Sequence, residues 1–273
     1  MSAGFHAHLV SLAMDIARTA AWLFILAIIL VPCERLFAQR PQAVFRRQFA
    51  ADIGYYFINS IVTVALLAVL MAPVAVAIYS VLPARVLAVG AHLSLWQRML
   101  ATLVVGEFGF YWGHRWSHQW PILWRFHVIH HSAEQVDWLT GTRAHPVDIV
   151  VTRLCGLTLI HGLGLAHAET GATSIAVLLL MAFTIFWGFF IHANVRWRLG
   201  WLESVIATPA FHRWHHTNDE NRDHNYASTL PFYDRLFGTL HLPRTGVPPC
   251  FGADTPVPAT LIGQLVAPFD RSR

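Results

Sequence analysis

The sequence predicts an all-α fold: a polytopic membrane helical bundle with a histidine-rich cap on its cytoplasmic side. Three observations lead there. Of 273 residues 55% are hydrophobic and only 12% charged, against about 25% charged in an average soluble domain. The apolar residues are gathered into long runs rather than scattered at amphipathic spacing. Finally, 17 histidines outnumber the 15 Asp and Glu combined, in a chain that otherwise avoids polar groups.

Crossing the hydrocarbon takes about 20 apolar residues, because roughly 30 Å is spanned at 1.5 Å per helical residue. Residues 19–33, preceded by an apolar stretch from Leu9, form the first candidate. Residues 53–81, interrupted by Pro73, form the second, and 95–112 a weaker third. Residues 149–167 and 172–191 read as a tight helical hairpin, although the former carries Arg153 and His161. The N-terminal segment lacks the early basic residues and small-residue cleavage pattern of a signal peptide, so it reads as a retained helix. Residues 243–273, rich in Pro and Gly, read as an irregular tail.

Orientation follows from the basic residues, all of which are arginine. Five crossings place Arg35, Arg40, Arg46 and Arg47, then Arg115, Arg125 and Arg143, then the eight arginines after residue 192, on one side. Arg85 and Arg98 fall on the other. Positive residues favour the cytoplasm, so both histidine-dense segments are expected there. The arginines are spread between apolar runs rather than concentrated on one polar face, which argues against nucleic-acid binding. The absence of lysine excludes Schiff-base and Walker-lysine chemistry. Cys33, Cys155 and Cys250 form no C-x-x-C pair.

The histidines fall in clusters. Residues 114–118 read HRWSH, placing His114 and His118 one helical turn apart. Residues 127–131 read HVIHH, giving His127, His130 and His131 a common helical face, and the same H-x-x-H-H spacing returns at His212, His215 and His216. His192 follows directly on the last apolar run. Nine imidazoles exceed what one tetrahedral ion accepts, so the pattern points to a dinuclear site. Imidazole suits iron, zinc, copper and nickel alike. No Glu is spaced for the Glu-x-x-His motifs of soluble di-iron bundles, and H-E-x-x-H is absent. His6, His8, His92, His161, His167 and His241 read as isolated packing or interfacial residues. A membrane metal-ion transporter or metal-binding protein is the alternative; it expects ligands at mid-span. A bis-histidine haem protein does not account for adjacent His130 and His131.

Beyond the histidines, TRAHP at 142–146, HAN at 192–194, FHRWHH at 211–216, NYAS at 225–228 and DRLFGT at 234–239 follow in order. Over about residues 100–240 this pattern resembles the fatty acid hydroxylase/sterol desaturase superfamily of integral-membrane di-iron oxygenases. The resemblance implies N-terminal membrane helices over 1–95, a catalytic domain over 96–242 that includes the hairpin near 149–191, and the tail 243–273. It implies two iron ions held by His114, His118, His127, His130, His131, His192, His212, His215 and His216. The implied chemistry is O2-dependent hydroxylation or desaturation of a lipid such as a fatty acyl chain, sterol or sphingoid lipid. His145, Asn194 and His224 are expected around the ligands or along a substrate wall. Glu134, Asp137, Asp148, Asp223 and Asp234 are candidates to orient the imidazoles. With no G-x-G-x-x-G motif and no cysteine set for an iron–sulfur cluster, electrons are expected from an external reductase or small carrier. Lipid substrate is expected to enter laterally from the bilayer. The tryptophans at 112, 116, 120, 124, 187, 197, 201 and 214 are best explained as an interfacial aromatic belt.

Overall fold

The computed structural model describes residues 3–166 and 172–270. His167 and the turn expected between the two halves of the hairpin lie outside them. Among the described residues the chain is helical, with isolated bridges at Ala38–Val195 and Thr217–Phe251 and no strand. Helix α1 covers Ala3–Phe37, and α2 covers Phe49–Val81. Both are long and apolar enough to cross a membrane, and only 11% of the most apolar window of each is buried. A core helix of a soluble protein would hide that surface. Instead Trp22, Phe24, Ile28, Val64, Val69 and Val76 point outward. Of the five expected spans, these two meet the length and hydropathy of a crossing among the described residues, and a shorter apolar helix runs over Leu179–Phe190.

Helix α2 is not uniform. It loosens into a π-helical segment over Ile58–Thr63, a local insertion that rotates the residues it contains. Asn59, within that segment, donates its side-chain amide to the carbonyls of Thr142 and Ala144, 3.0 Å each.

The remaining helices start where the sequence supplies a stop or a cap. Before α3, Leu95–Gln119, the Gln97 side chain accepts from the backbone and hydroxyl of Ser94. The chain turns extended at Trp120, and Pro121 opens α4, Pro121–His131. Proline is tolerated there because the first-turn N–H has no helical partner. The same device starts α5, Pro146–Gly162, and α7, Pro209–His215, capped by the side chains of His145 and Thr208. Between these two lies α6, Ala172–Phe190.

Helices α3 and α5 meet through glycine. A Cβ on Gly109 would lie 2.5 Å from the Gly156 Cα and 2.6 Å from the Cys155 carbonyl oxygen, and one on Gly113 would lie 2.9 Å from the Thr152 Cα. Backbone therefore rests on backbone. This contact carries Ser117 of α3 to 3.1 Å from Asp148 at the start of α5.

A buried ion network ties α2 to the segment between α4 and α5. Arg46 forms a fork with both oxygens of Asp137, at 2.6 and 2.7 Å, and reaches Asp52 at 2.6 Å. Arg143 grips the same Asp52 at 2.6 and 2.9 Å. Arg46 and Arg143, counted as membrane-flanking charges in orienting the chain, are thus internal, as are Arg98 and Arg213.

The expected irregular tail contains a helix. After short α8, Phe232–Leu236, helix α9 covers Leu261–Val266, with the Thr260 side chain accepting from Gly263 N–H. Leu261 packs over Gly54, where a Cβ would come within 2.4 Å of the leucine methyl. Six residues are too few to signal a helix by periodicity; tertiary docking stabilises this one.

Replacing Gly109 by leucine should force α3 and α5 apart and lower stability by about 1–3 kcal/mol. Gly188→Ala, in a helix where a Cβ meets nothing within 4 Å, should leave stability unchanged or raise it by up to about 1 kcal/mol. Melting of the purified variants in detergent checks this; equal midpoints for both would contradict the close backbone packing.

Candidate metal centre

Four elements converge on one interior point. Helix α3 supplies His114 and His118, α4 supplies His127, His130 and His131, the turn after α6 supplies His192, and α7 with its C-terminal residue supplies His212, His215 and His216. They sort into two adjoining groups. His114, His118, His127, His131 and His215 form one, and His130, His192, His212 and His216 the other, with the potential ligand nitrogens of each lying within 4.8 Å of one another. All nine side chains are withdrawn from solvent. The two H-x-x-H-H stretches divide between the groups, so adjacent His130 and His131 face different centres, as do His215 and His216.

The hydrogen bonds determine what this arrangement can do. Six Nδ1 atoms meet oxygens that can only accept. His114 meets the Tyr226 carbonyl at 2.6 Å, His130 that of Arg143 at 2.9 Å, His192 that of Gly188 at 2.7 Å and His215 that of His224 at 2.9 Å. His127 meets the Asp148 carboxylate at 3.0 Å, and His118 meets Asp223 at 3.1 Å. Each of these Nδ1 atoms is therefore the protonated nitrogen, which in a neutral ring leaves Nε2 with a bare lone pair.

Among these six rings, lone pairs face one another. The Nε2 of His127 lies 3.2 Å from that of His114 and 3.1 Å from that of His118. In the second group the Nε2 atoms of His130 and His192 are 3.4 Å apart. His131 and His212, whose Nδ1 atoms have no partner among the described residues, bring their Nε2 atoms to 3.1 Å from His127 and 2.9 Å from His192. The His215 Nε2 is buried with no partner. Metal–nitrogen bonds of about 2.0–2.1 Å bring neighbouring ligand nitrogens to roughly 3.0–3.4 Å of each other, the spacing seen in both groups. The donor set fits a cation in each.

Electrostatics agrees. Burial, reinforced by neighbouring imidazoles, holds His118, His130, His131, His212, His215 and His216 well below the ordinary histidine value. Burial brings His114 to about 3 and His192 to about 4. Burial pushes the Asp148 carboxyl up, but His127, His130 and His114 more than reverse this, so it stays ionised.

The three accessory positions read from the sequence lie outside both groups. His145 caps α5 through Nδ1, and its Nε2 is 3.1 Å from the Leu265 carbonyl. Asn194 exchanges hydrogen bonds with the Arg40 backbone, and its own N–H goes to Glu34. The His224 ring turns toward Asn221 and His241, and only its carbonyl serves His215. Among the candidate carboxylates, Asp148 and Asp223 touch imidazoles. Asp137 belongs to the ion network, Asp234 binds the backbone of Tyr226 and Ala227, and Glu134 is exposed.

Glu107 was not singled out from the sequence. It is buried, and its carboxylate accepts from the backbone N–H groups of Ser228 and Thr229 at 2.6 Å, anchoring the loop whose Tyr226 carbonyl orients His114. Of the tryptophans, Trp124 stands against His118 and His131, with centroids 5.2 and 5.6 Å away. Trp120 and Trp201 are exposed. None of the nine histidines lies in the two membrane-length helices.

A family model described as fatty acid hydroxylase matches residues 99–239. An ornithine lipid hydroxylase (OlsE) of Rhizobium tropici is 34% identical over 171 residues, 62% of this chain and 49% of the relative. The human alkylglycerol monooxygenase is 34% identical over 141 residues, 49% of this chain and 28% of the relative. A methylsterol monooxygenase (2-2) of Arabidopsis thaliana is 28% identical over 173 residues, 61% of this chain and 62% of the relative. The chain thus spans less than two thirds of each of these curated relatives. No solved structure matches it.

The lowered histidine values set a pH dependence. A histidine whose folded value lies below its unfolded one is neutral in the folded protein while the unfolded chain is already taking up a proton. Stability is then complete above about pH 6.5 and lost as pH falls. The metal-free protein should melt at a lower temperature at pH 5 than at pH 7.5. An unchanged midpoint would show that the cluster tolerates charge.

Proposed function

Because the chain belongs to the fatty acid hydroxylase family, we propose that its nine clustered imidazoles hold two iron ions and that the protein hydroxylates a lipid C–H bond with O2 and electrons from an external donor. The observation that carries this reading is the pair of adjoining all-imidazole groups, in which the Nε2 lone pairs of His114 and His127, and of His130 and His192, face each other with no proton between them. Two iron ions at this position would supply the redox chemistry needed to activate O2 and break an unactivated C–H bond. Hydroxylation is favoured over desaturation because the relatives described above are named for hydroxylase or monooxygenase activity.

The chain's own contribution is orientation and exclusion of water. Asp148 and Asp223 hold His127 and His118 by Nδ1, while backbone carbonyls hold four more rings, fixing tautomer and ring plane together. Burial keeps the ligands neutral and so available to metal at physiological pH. Trp124 closes one wall beside His118 and His131. An alkyl chain reaching the site from a bilayer around α1 and α2 would meet apolar helix surface throughout. In this reading the two long helices anchor a multi-pass protein with the histidine groups on the cytoplasmic side.

Metal analysis of the purified protein should give two irons per chain without haem absorption. One exchangeable zinc, or a haem spectrum, would sink the proposal. Lipids from cells expressing the gene should gain a species heavier by one oxygen, lost in His131→Ala and His216→Ala variants. Asp148→Asn, which removes the carboxylate behind His127, should weaken metal affinity about 10–100-fold while the fold persists.

A further inference from the structure

Helix α7 has a second face. His212, His215 and His216 look into the metal groups, but Arg213 and Trp214, between them in sequence, line a separate cleft of about 280 Å³. Its other walls are Gln39, Arg198, Arg244 and the loop from Thr245 to Pro248.

Three arginines line one small cleft, and their charge is only partly matched. Arg198 is paired with Glu203 at 3.0 Å. Arg213 is 4% exposed, and among the described residues its hydrogen bonds go to the carbonyls of Ala193 and Val195, at 3.3 and 2.8 Å. Its Nε is buried without a partner. A buried cation whose hydrogen bonds go to carbonyl dipoles is costly unless an anion lies beside it.

The cleft wall is also held in shape. Arg198 donates to the Pro243 carbonyl at 3.1 Å and more weakly to that of Arg244 at 3.4 Å. Arg40 donates to the carbonyl of Pro248 and lies over the Phe251 ring. The volume exceeds that of a bare oxyanion, and Ala210, Trp214, Val247 and Pro248 give the cleft an apolar side.

We propose that this cleft binds a phosphate-bearing headgroup, with the phosphate on Arg213 and Arg244 and the rest of the headgroup against Trp214 and Val247. Arginine forks match phosphate oxygens bidentately. The site is distinct from the metal groups and is argued from the arginines alone. A phospholipid of the surrounding bilayer and a soluble phosphate ester share this chemistry.

The test uses the full-length, metal-loaded protein in detergent. Titration with glycerol 3-phosphate should show saturable binding, weakened at least fivefold by Arg244→Gln, an exposed residue whose replacement should leave the metal content unchanged. Arg213→Lys, which keeps the charge but loses the fork, should also weaken it. Displacement of bound glycerol 3-phosphate by phosphatidylglycerol in mixed detergent micelles assigns the cleft to a lipid headgroup. Binding that resists phosphatidylglycerol assigns it to a soluble ester. Absence of saturable binding to both probes, or equal binding by the wild type and Arg244→Gln, overturns the proposal.

Discussion

Everything at the centre of this protein depends on where nine imidazole rings keep their protons. A neutral imidazole has one N–H and one lone pair, and in six of the nine the N–H is committed outward to an oxygen. The inward nitrogens are therefore left as acceptors about 3 Å from one another. In water such an arrangement would dissolve by protonation or ring rotation. Burial blocks the first, and the outward hydrogen bonds block the second. The interior thus presents two groups of acceptor nitrogens that suit a cation.

The rest of the fold can be followed outward from those six oxygens. Arg143 offers its carbonyl to His130 only because its guanidinium is fixed on Asp52, which is shared with Arg46 and through it with Asp137. Asn59, in the π-helical stretch of α2, clamps the carbonyls on either side of Arg143. Asp148, which meets His127, is also held by Ser117 of α3, where α3 and α5 approach to backbone contact at Gly109 and Gly156. Glu107 secures the loop that delivers the Tyr226 carbonyl to His114. The long apolar helix α2 is consequently coupled to the site through hydrogen bonds rather than through packing alone.

The histidines were legible in the sequence because helical periodicity writes a shared face into local spacing: i, i+3 and i+4 need no knowledge of the fold. Their division into two groups was not, since adjacent His130 and His131 diverge only once helices α6 and α7 are placed beside α4. The partners of the rings were still less visible. An acidic residue announces itself by type, so Asp148 and Asp223 were among the candidates, but nothing local distinguished them from Asp137 or Glu134. A carbonyl announces nothing. Likewise the arginines that oriented the chain by count include Arg46, Arg143 and Arg213, whose burial depends on contacts distant in sequence.

Four of the six oxygens that aim the rings belong to the main chain, at residues 143, 188, 224 and 226. Every amino acid carries such an oxygen. Except at Arg143, whose guanidinium holds its own backbone on Asp52, the identity of the side chain at these positions is therefore decoupled from the service its backbone performs, and exchange of Tyr226 or His224 leaves the acceptor itself in place. What the centre cannot absorb is a shift in the path of the chain. Its tolerance is to replacement rather than to displacement, so insertions and deletions near these turns threaten it more than point changes do.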